Sequence, residues 1–272
     1  MTDILSRIVA DKHQEVAQLM QSHPLPQVQA QAQSLGTVRP FTAALKASRP
    51  RGSGSEVNII AEIKLKSPSK GVFAWHGDVA RQVAAYETGG AKAISVVTDG
   101  KYFGGSTDLL RQVKSRTRLP VMQKEFVVHP YQIHYARALG ADAVLLIAAV
   151  LQGNALADMV ALARQVGIGT LVEVVDEAEM QRAVAAEAEV VGVNNRDLRT
   201  FTLDHDRAAR LLPLCGEERV FITESGVKTR ADVERMLALG VDGFLIGEAL
   251  MTAPDAAHTL ALLRGNLTEV AS

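Results

Sequence analysis

Eight short apolar runs, rich in β-branched residues, recur along this chain and are separated by stretches of helical periodicity. They cover residues 58–63, 93–98, 121–124, 143–147, 170–174, 190–193, 220–223 and 243–246. Most are continuous rather than alternating, the pattern of strands buried on both faces of a parallel sheet. The stretches between them place apolar residues on one helical face: Val79, Val83 and Tyr86; Leu156, Met159, Val160 and Ala163; Val233, Met236 and Leu237. Three junctions repeat, Gly90-Ala91-Lys92-Ala93, Gly140-Ala141-Asp142-Ala143 and Gly240-Val241-Asp242-Gly243, spaced by 50 and 100 residues, or two and four units of about 25. In each, glycine can take the left-handed conformation that ends a helix just before a strand opens. Asp176 to Glu179 and Thr229 to Asp232 are spaced as capping boxes, and Pro254 suits a first helical turn. Eight strands, each followed by a helix, predict an α/β protein of the (β/α)8 TIM barrel class. The alternative, an open doubly wound sheet, needs a glycine-rich first turn; Gly167-Ile168-Gly169 precedes a strand and does not supply one.

Ahead of the barrel, Leu5, Ile8, Val9, Val16 and Leu19 predict a helix over residues 4–21, broken at Pro24 and Pro26. Residues 27–45 suggest a second short helix, and residues 48–55 a loop. The expected organisation is a single domain, 1–272, with an N-terminal helical extension at 1–47 and the barrel at 56–265. Too little chain follows residue 265 for a second catalytic domain. The leader helices could dock a partner or cover the barrel mouth, and the second is preferred.

Composition narrows the function. With 47% hydrophobic and 22% charged residues the chain is an ordinary globular one. Its 29 Lys and Arg against 30 Asp and Glu leave a charge of -1, so nothing global draws it to nucleic acid or an anionic membrane. Any anion it binds must be met by local charge. Cys215 is the single cysteine, which allows no internal disulfide, and it falls in a helix-to-strand turn at the end of the barrel away from a site. The N-terminus lacks a secretory signal. The longest apolar run, residues 143–151, is about half of the ~20 residues a membrane helix needs. A cytoplasmic monomer is expected.

In this fold the active site lies at the C-terminal ends of the strands. Those ends are polar here: Glu62 and Lys64, Lys124 and Glu125, Glu173, Asn194-Asn195-Arg196, and Glu224-Ser225-Gly226. Residues two apart in a strand share a face, so Glu62 pairs with Lys64 and Asn194 with Arg196. Charges crowded at a low-dielectric mouth must pair with one another or with a ligand. Ser67-Pro68-Ser69-Lys70-Gly71, Ser225-Gly226 and Gly247-Glu248 form a second group, of which the loops after strands seven and eight are the recurrent phosphate site of such barrels. Phe73, Trp75, Phe103 and Phe126 follow strand ends and could meet an aromatic ring. The seven histidines, His13, His23, His76, His129, His134, His205 and His258, have no metal-ligand spacing and none closes a strand, so they read as surface residues. The residues thus describe an acid–base enzyme for a phosphorylated, anionic small molecule, without metal or other cofactor.

Ile60-Ala61-Glu62-Ile63-Lys64 with Ser67-Pro68-Ser69-Lys70-Gly71, Asn194-Asn195-Arg196-Asp197-Leu198, Glu224-Ser225-Gly226 and Leu245-Ile246-Gly247-Glu248 resemble, in order and spacing, the indole-3-glycerol phosphate synthase family. The resemblance runs from the first helix to about Leu263. It implies a carboxy-lyase of tryptophan biosynthesis that converts 1-(2-carboxyphenylamino)-1-deoxyribulose 5-phosphate to indole-3-glycerol phosphate, losing carbon dioxide and water. It implies that Lys124 is the general acid of ring closure and that Glu173 and Lys64 move protons in the later dehydration. Glu62 would orient Lys64 and contact hydroxyls; Asn194, Arg196, Glu224 and Ser225 would hold the substrate; Ser67, Gly226, Gly247 and Glu248 would surround its phosphate. Two places depart from the family pattern. Leu65 stands where a basic or polar residue is usual, and Gln123-Lys124-Glu125-Phe126 replaces Arg-Lys-Asp-Phe. Glu125 should face away from Lys124 and support the site rather than act in it.

Two other readings stay open at this level. Another phosphate-binding barrel enzyme, such as phosphoribosylanthranilate isomerase, would rely on a Cys and Asp pair at strand ends, for which Cys215 is misplaced. A non-catalytic binding paralogue would keep the barrel, though not necessarily Lys124 and Glu173.

Overall fold

The computed structural model describes residues 3–47, 57–68, 70–73, 75, 77–197 and 202–267. The loop expected at residues 48–55, and with it Ser69, His76 and Leu198, lies outside the described residues. Eight parallel strands close into a barrel in sequence order: β1 (Asn58–Ile63), β2 (Ala93–Val97), β3 (Val121–Lys124), β4 (Ala143–Ile147), β5 (Gly169–Val174), β6 (Val190–Asn194), β7 (Val220–Glu224) and β8 (Gly243–Ile246). Closure is made by β8 on β1, from Asn58 opposite Gly243 to Ala61 opposite Ile246. That closure excludes the doubly wound alternative.

Strand alternation explains why the runs are apolar throughout. Ile60, Met122, Leu145, Leu171, Ile222 and Leu245 pack together inside the barrel. Their neighbours Ile59, Ile94, Val144, Val172, Phe221 and Phe244 belong to a second core shared with the helices. Both faces are therefore covered, and neither tolerates a regular polar repeat.

The helices are α1 (Ile4–Ser22), α2 (Leu25–Ser34), α3 (Phe41–Lys46), α4 (Val79–Thr88), α5 (Gly100–Phe103), α6 (Thr107–Arg116) and α7 (Tyr131–Ala138), followed by α8 (Ala155–Val166), α9 (Glu177–Ala185), α10 (Arg207–Cys215), α11 (Arg230–Leu239), α12 (Glu248–Met251) and α13 (Ala256–Arg264). Thr229 and Asp232 form a complete capping box on α11. Asp176 caps α9, but Glu179 accepts from the N–H of Val175 at 2.9 Å, one residue before the cap. Pro254 lies just outside α13, whose N-cap is Asp255. Gly90, Gly140 and Gly240 all have positive φ, as the repeated junction requires. Cys215 is the buried last residue of α10 rather than part of the turn after it.

The leader differs most from expectation. It holds two further helices, not one, because Pro24 and Pro26 start α2 as its N-cap and second residue instead of ending structure. The three leader helices also go to three places. The first half of α1 packs at the mouth, where Leu5 and Ile8 join Phe126 and Ile147. Helix α2 lies on α7 at the side. Helix α3 plugs the opposite end, with Phe41 against Gly169 and the Leu45 carbonyl accepting from Asn58 Nδ2 at 2.9 Å. Of the three leader helices, α1 alone packs at the mouth. Among the described residues no helix is long and apolar enough to cross a membrane.

Candidate active site

A cavity of about 180 Å³ opens at the C-terminal ends of the strands. Glu62, Lys64, Ser67, Lys124, Glu173, Asn194, Arg196, Glu224, Ser225, Gly226, Gly247 and Glu248 all line it. The residues picked from strand ends in sequence are thus brought to one rim by barrel closure.

Lys124 is its electrostatic centre. Its ammonium stands 2.6 Å from Glu224, 3.4 Å from Glu173 and 3.9 Å from Glu62, while Lys64 meets the other Glu62 oxygen at 2.9 Å. The three glutamates are each only 2% exposed. Burial would push the Lys124 ammonium down, but Glu224, Glu173 and Glu62 together hold it well above the usual lysine range. Burial would raise Glu62, yet Lys64 and Lys124 keep it below the ordinary carboxylate value. For Glu224 burial prevails over the pull of Lys124, and with Glu173 adding repulsion its carboxyl is pushed up to about 8. Neighbouring carboxylates in one pocket thus differ in proton affinity, the condition for dividing acid and base work.

The acids are not saturated. Glu62 Oε2, Glu173 Oε1 and Glu224 Oε1 are buried without a hydrogen-bond partner among the described residues. Buried polar atoms are normally paired, so three such oxygens on one wall mark a place prepared for donors from a ligand. Glycine makes room for two of these carboxylates: a Cβ at Gly247 would come within 2.5 Å of Glu62 Oε1, and one at Gly192 would strike Glu224. Ser225, at φ 65, is held in the left-handed region, a strain of order 1–3 kcal/mol that clusters at functional sites. Its carbonyl accepts from Asn195 Nδ2 at 3.1 Å.

Around this wall Phe103 and Phe126 give an apolar side, their rings 5.9 Å apart and tilted by 38°. Phe73 is buried beside Lys64 and, like Trp75, does not line the cavity. At the rim Glu248 is 3.6 Å from Lys70 and 3.8 Å from Lys228. Lys70 lies in the turn of a hairpin, Lys66–Ser67 paired with Gly71–Val72. Lys228 and Leu203 also line the cavity, and strand-end position does not single them out because neither closes a strand. Glu125 bonds away from Lys124, as alternation predicts, to Thr98, to the Phe126 N–H and to Lys12 of α1. Lys12 could have been found: it sits on the stripe Leu5, Ile8, Lys12, Val16, where a charge is out of place. The described histidines are all exposed or half-buried, and no group of metal-binding residues occurs among the described residues.

A closed (β/α)8 barrel whose mouth gathers lysines and buried glutamates beside an aromatic wall belongs to the class of acid–base enzymes acting on small molecules. The family model for indole-3-glycerol phosphate synthase matches residues 5–263. Indole-3-glycerol phosphate synthases of Leptothrix cholodnii, 44% identical over 97% of this chain and 99% of theirs, and Chromobacterium violaceum, 42% identical over 97% and 98%, are similar along their whole length. The chain belongs to the indole-3-glycerol phosphate synthase family, and with it to the carboxy-lyases of tryptophan biosynthesis. Among solved structures, thiamine phosphate pyrophosphorylase from Pyrococcus furiosus shares the fold at TM-score 0.57 and 16% identity, covering 77% of this chain and 94% of that one.

Proposed function

We propose that ring closure at this mouth is driven by Lys124, which donates a proton to the carbonyl oxygen of 1-(2-carboxyphenylamino)-1-deoxyribulose 5-phosphate. The observation that carries this is one ammonium set among three buried glutamates at the centre of the cavity. Those neighbours keep Lys124 protonated at neutral pH and fix its direction, so the proton is delivered without reorganisation. Carbon dioxide then leaves the ring carbon that has attacked. Glu173 and Lys64 serve the proton transfers of dehydration, and Glu62 orients Lys64 through their 2.9 Å contact.

Asn194, Arg196, Glu224 and Ser225 hold the substrate, the orphan carboxylate oxygens accepting its hydroxyls. The phosphate lies among Ser67, Gly226, Gly247 and Glu248. In that set the Glu248 carboxylate would repel a phosphate, so its role is to hold Lys70 and Lys228 at the rim. Phe103 and Phe126 take the aromatic ring. No cofactor is required, and the chain works as a single-domain cytoplasmic monomer without nucleic acid, in keeping with its near-zero net charge.

The test is incubation of chelator-treated protein with the substrate, following indole-3-glycerol phosphate by its fluorescence. Turnover that vanishes in Lys124→Met is expected. Binding without turnover in the unaltered protein would overturn the reading in favour of a non-catalytic one.

A further inference from the structure

We propose that Lys12, on the helix ahead of the barrel, is a positioning residue for the reaction, setting the aromatic wall of Phe103 and Phe126 against the substrate ring. This rests on the function proposed above. Lys12 is buried, 4% exposed, and its ammonium lies 3.1 Å from Asp99 and 3.1 Å from Glu125, with Glu15 at 2.6 Å. Each of the two inner carboxylates holds one wall residue by its backbone. Asp99 Oδ1 accepts from the N–H of Phe103 at 3.1 Å and of Tyr102 at 2.7 Å. Glu125 Oε1 accepts from the N–H of Phe126 at 2.8 Å, and Oε2 from Thr98 Oγ1 at 2.7 Å.

Two buried carboxylates this close cannot both stay ionised without a cation between them. Burial would push Lys12 down, but Glu125, Glu15 and Asp99 hold it well above the usual lysine range, while burial pushes Glu125 up even with Lys12 beside it. Take Lys12 away and one acid must gain a proton, which weakens its hold on a phenylalanine N–H. The wall then loses its fixed spacing, while the Lys124 cluster and the phosphate rim, which Lys12 does not touch, keep theirs. The effect should fall on recognition of the ring.

Lys12→Met is therefore expected to raise KM for the substrate about tenfold, equivalent to about 1.4 kcal/mol, and to leave kcat within about threefold. Inhibition by indole-3-glycerol phosphate, which carries the ring, should weaken by the same factor. Inhibition by glycerol 3-phosphate, which lacks it, should not change. Lys12→Arg should restore both values. Lys101→Ala, which removes a more exposed link between α1 and α5, should change neither. If Lys12→Met does not fold, Glu125→Gln should show a smaller loss with the same selectivity. Equal weakening of both inhibitors, a parallel fall in kcat, or no change would overturn the proposal. Should the unaltered protein show no turnover, the proposed function fails while the ratio of the two inhibitor affinities still decides the part played by Lys12.

Discussion

At the N-terminal end of the barrel Asp142 is 1% exposed, and both its oxygens are used: it accepts from the N–H of Arg39 at 2.7 Å and of Val121 at 2.8 Å, and from Lys114 at 2.5 Å. Asp242, one hundred residues later and also buried, accepts through Oδ2 from the N–H of Phe221 at 2.9 Å. At the other end Glu62, Glu173 and Glu224 are as deeply buried, yet each keeps an oxygen with no hydrogen-bond partner among the described residues. The same chemistry serves opposite ends. An acid bonded to backbone on every side lowers the energy of the fold. One left incomplete raises it, and is tolerable where a ligand will complete it.

The comparison breaks most easily at Lys124. Lys124→Met should reduce turnover about 100- to 10,000-fold, the range of a lost general acid, while far-ultraviolet circular dichroism stays that of the folded barrel. Asp142→Ala should do the reverse. Removing a partner from a buried charge network costs about 3 kcal/mol, measured as a lower urea midpoint, with kcat of the folded fraction unchanged. An equal loss of kcat there would erase the distinction between the two ends.

Glu224→Gln tests the incomplete end directly. In the folded state the Glu224 carboxyl is raised from an ordinary value of 4.5 to about 8, so the native protein binds more protons than the unfolded chain across that window. Its stability therefore falls as pH rises from 5 to 9, and that of the glutamine variant does not. The variant should gain by roughly 1–3 kcal/mol relative to the unaltered protein over that range, in thermal melts, while losing turnover. A constant gap would mean that Glu224 is ionised in both states. The smallest expected effect is at Thr229, which caps α11 on the mouth side but lies outside the cavity. Thr229→Ala should cost about 1 kcal/mol and leave turnover alone, separating position at the mouth from membership of the site.

Much of this was legible in residue order. The eight strands fall within a residue of their sequence-based limits, with Thr98 lost and Gly169, Asn194 and Glu224 gained. The polar residues at their ends reach the cavity, because in a closed barrel every strand delivers its C-terminal end to one rim, except Asn195, which turns away to Thr223 and the Ser225 carbonyl. Asp142 and Asp242 show the limit of that reading. Their junctions read as helix caps, whereas the aspartates in them serve the neighbouring strand, a partner that sequence spacing does not name.

What the sequence alone determined are the features local in the chain: the alternation of strand and helix, the caps, the apolar faces, and the polar character of the strand ends. These follow from the period of side-chain placement over a few residues. Tertiary structure alone decided which charges meet. The 2.6 Å contact of Lys124 with Glu224 spans a hundred residues, and Lys12 reaches Glu125 across more. It also sent α1 to the mouth and α3 to the far end, since an apolar face specifies only that it be buried and not against what.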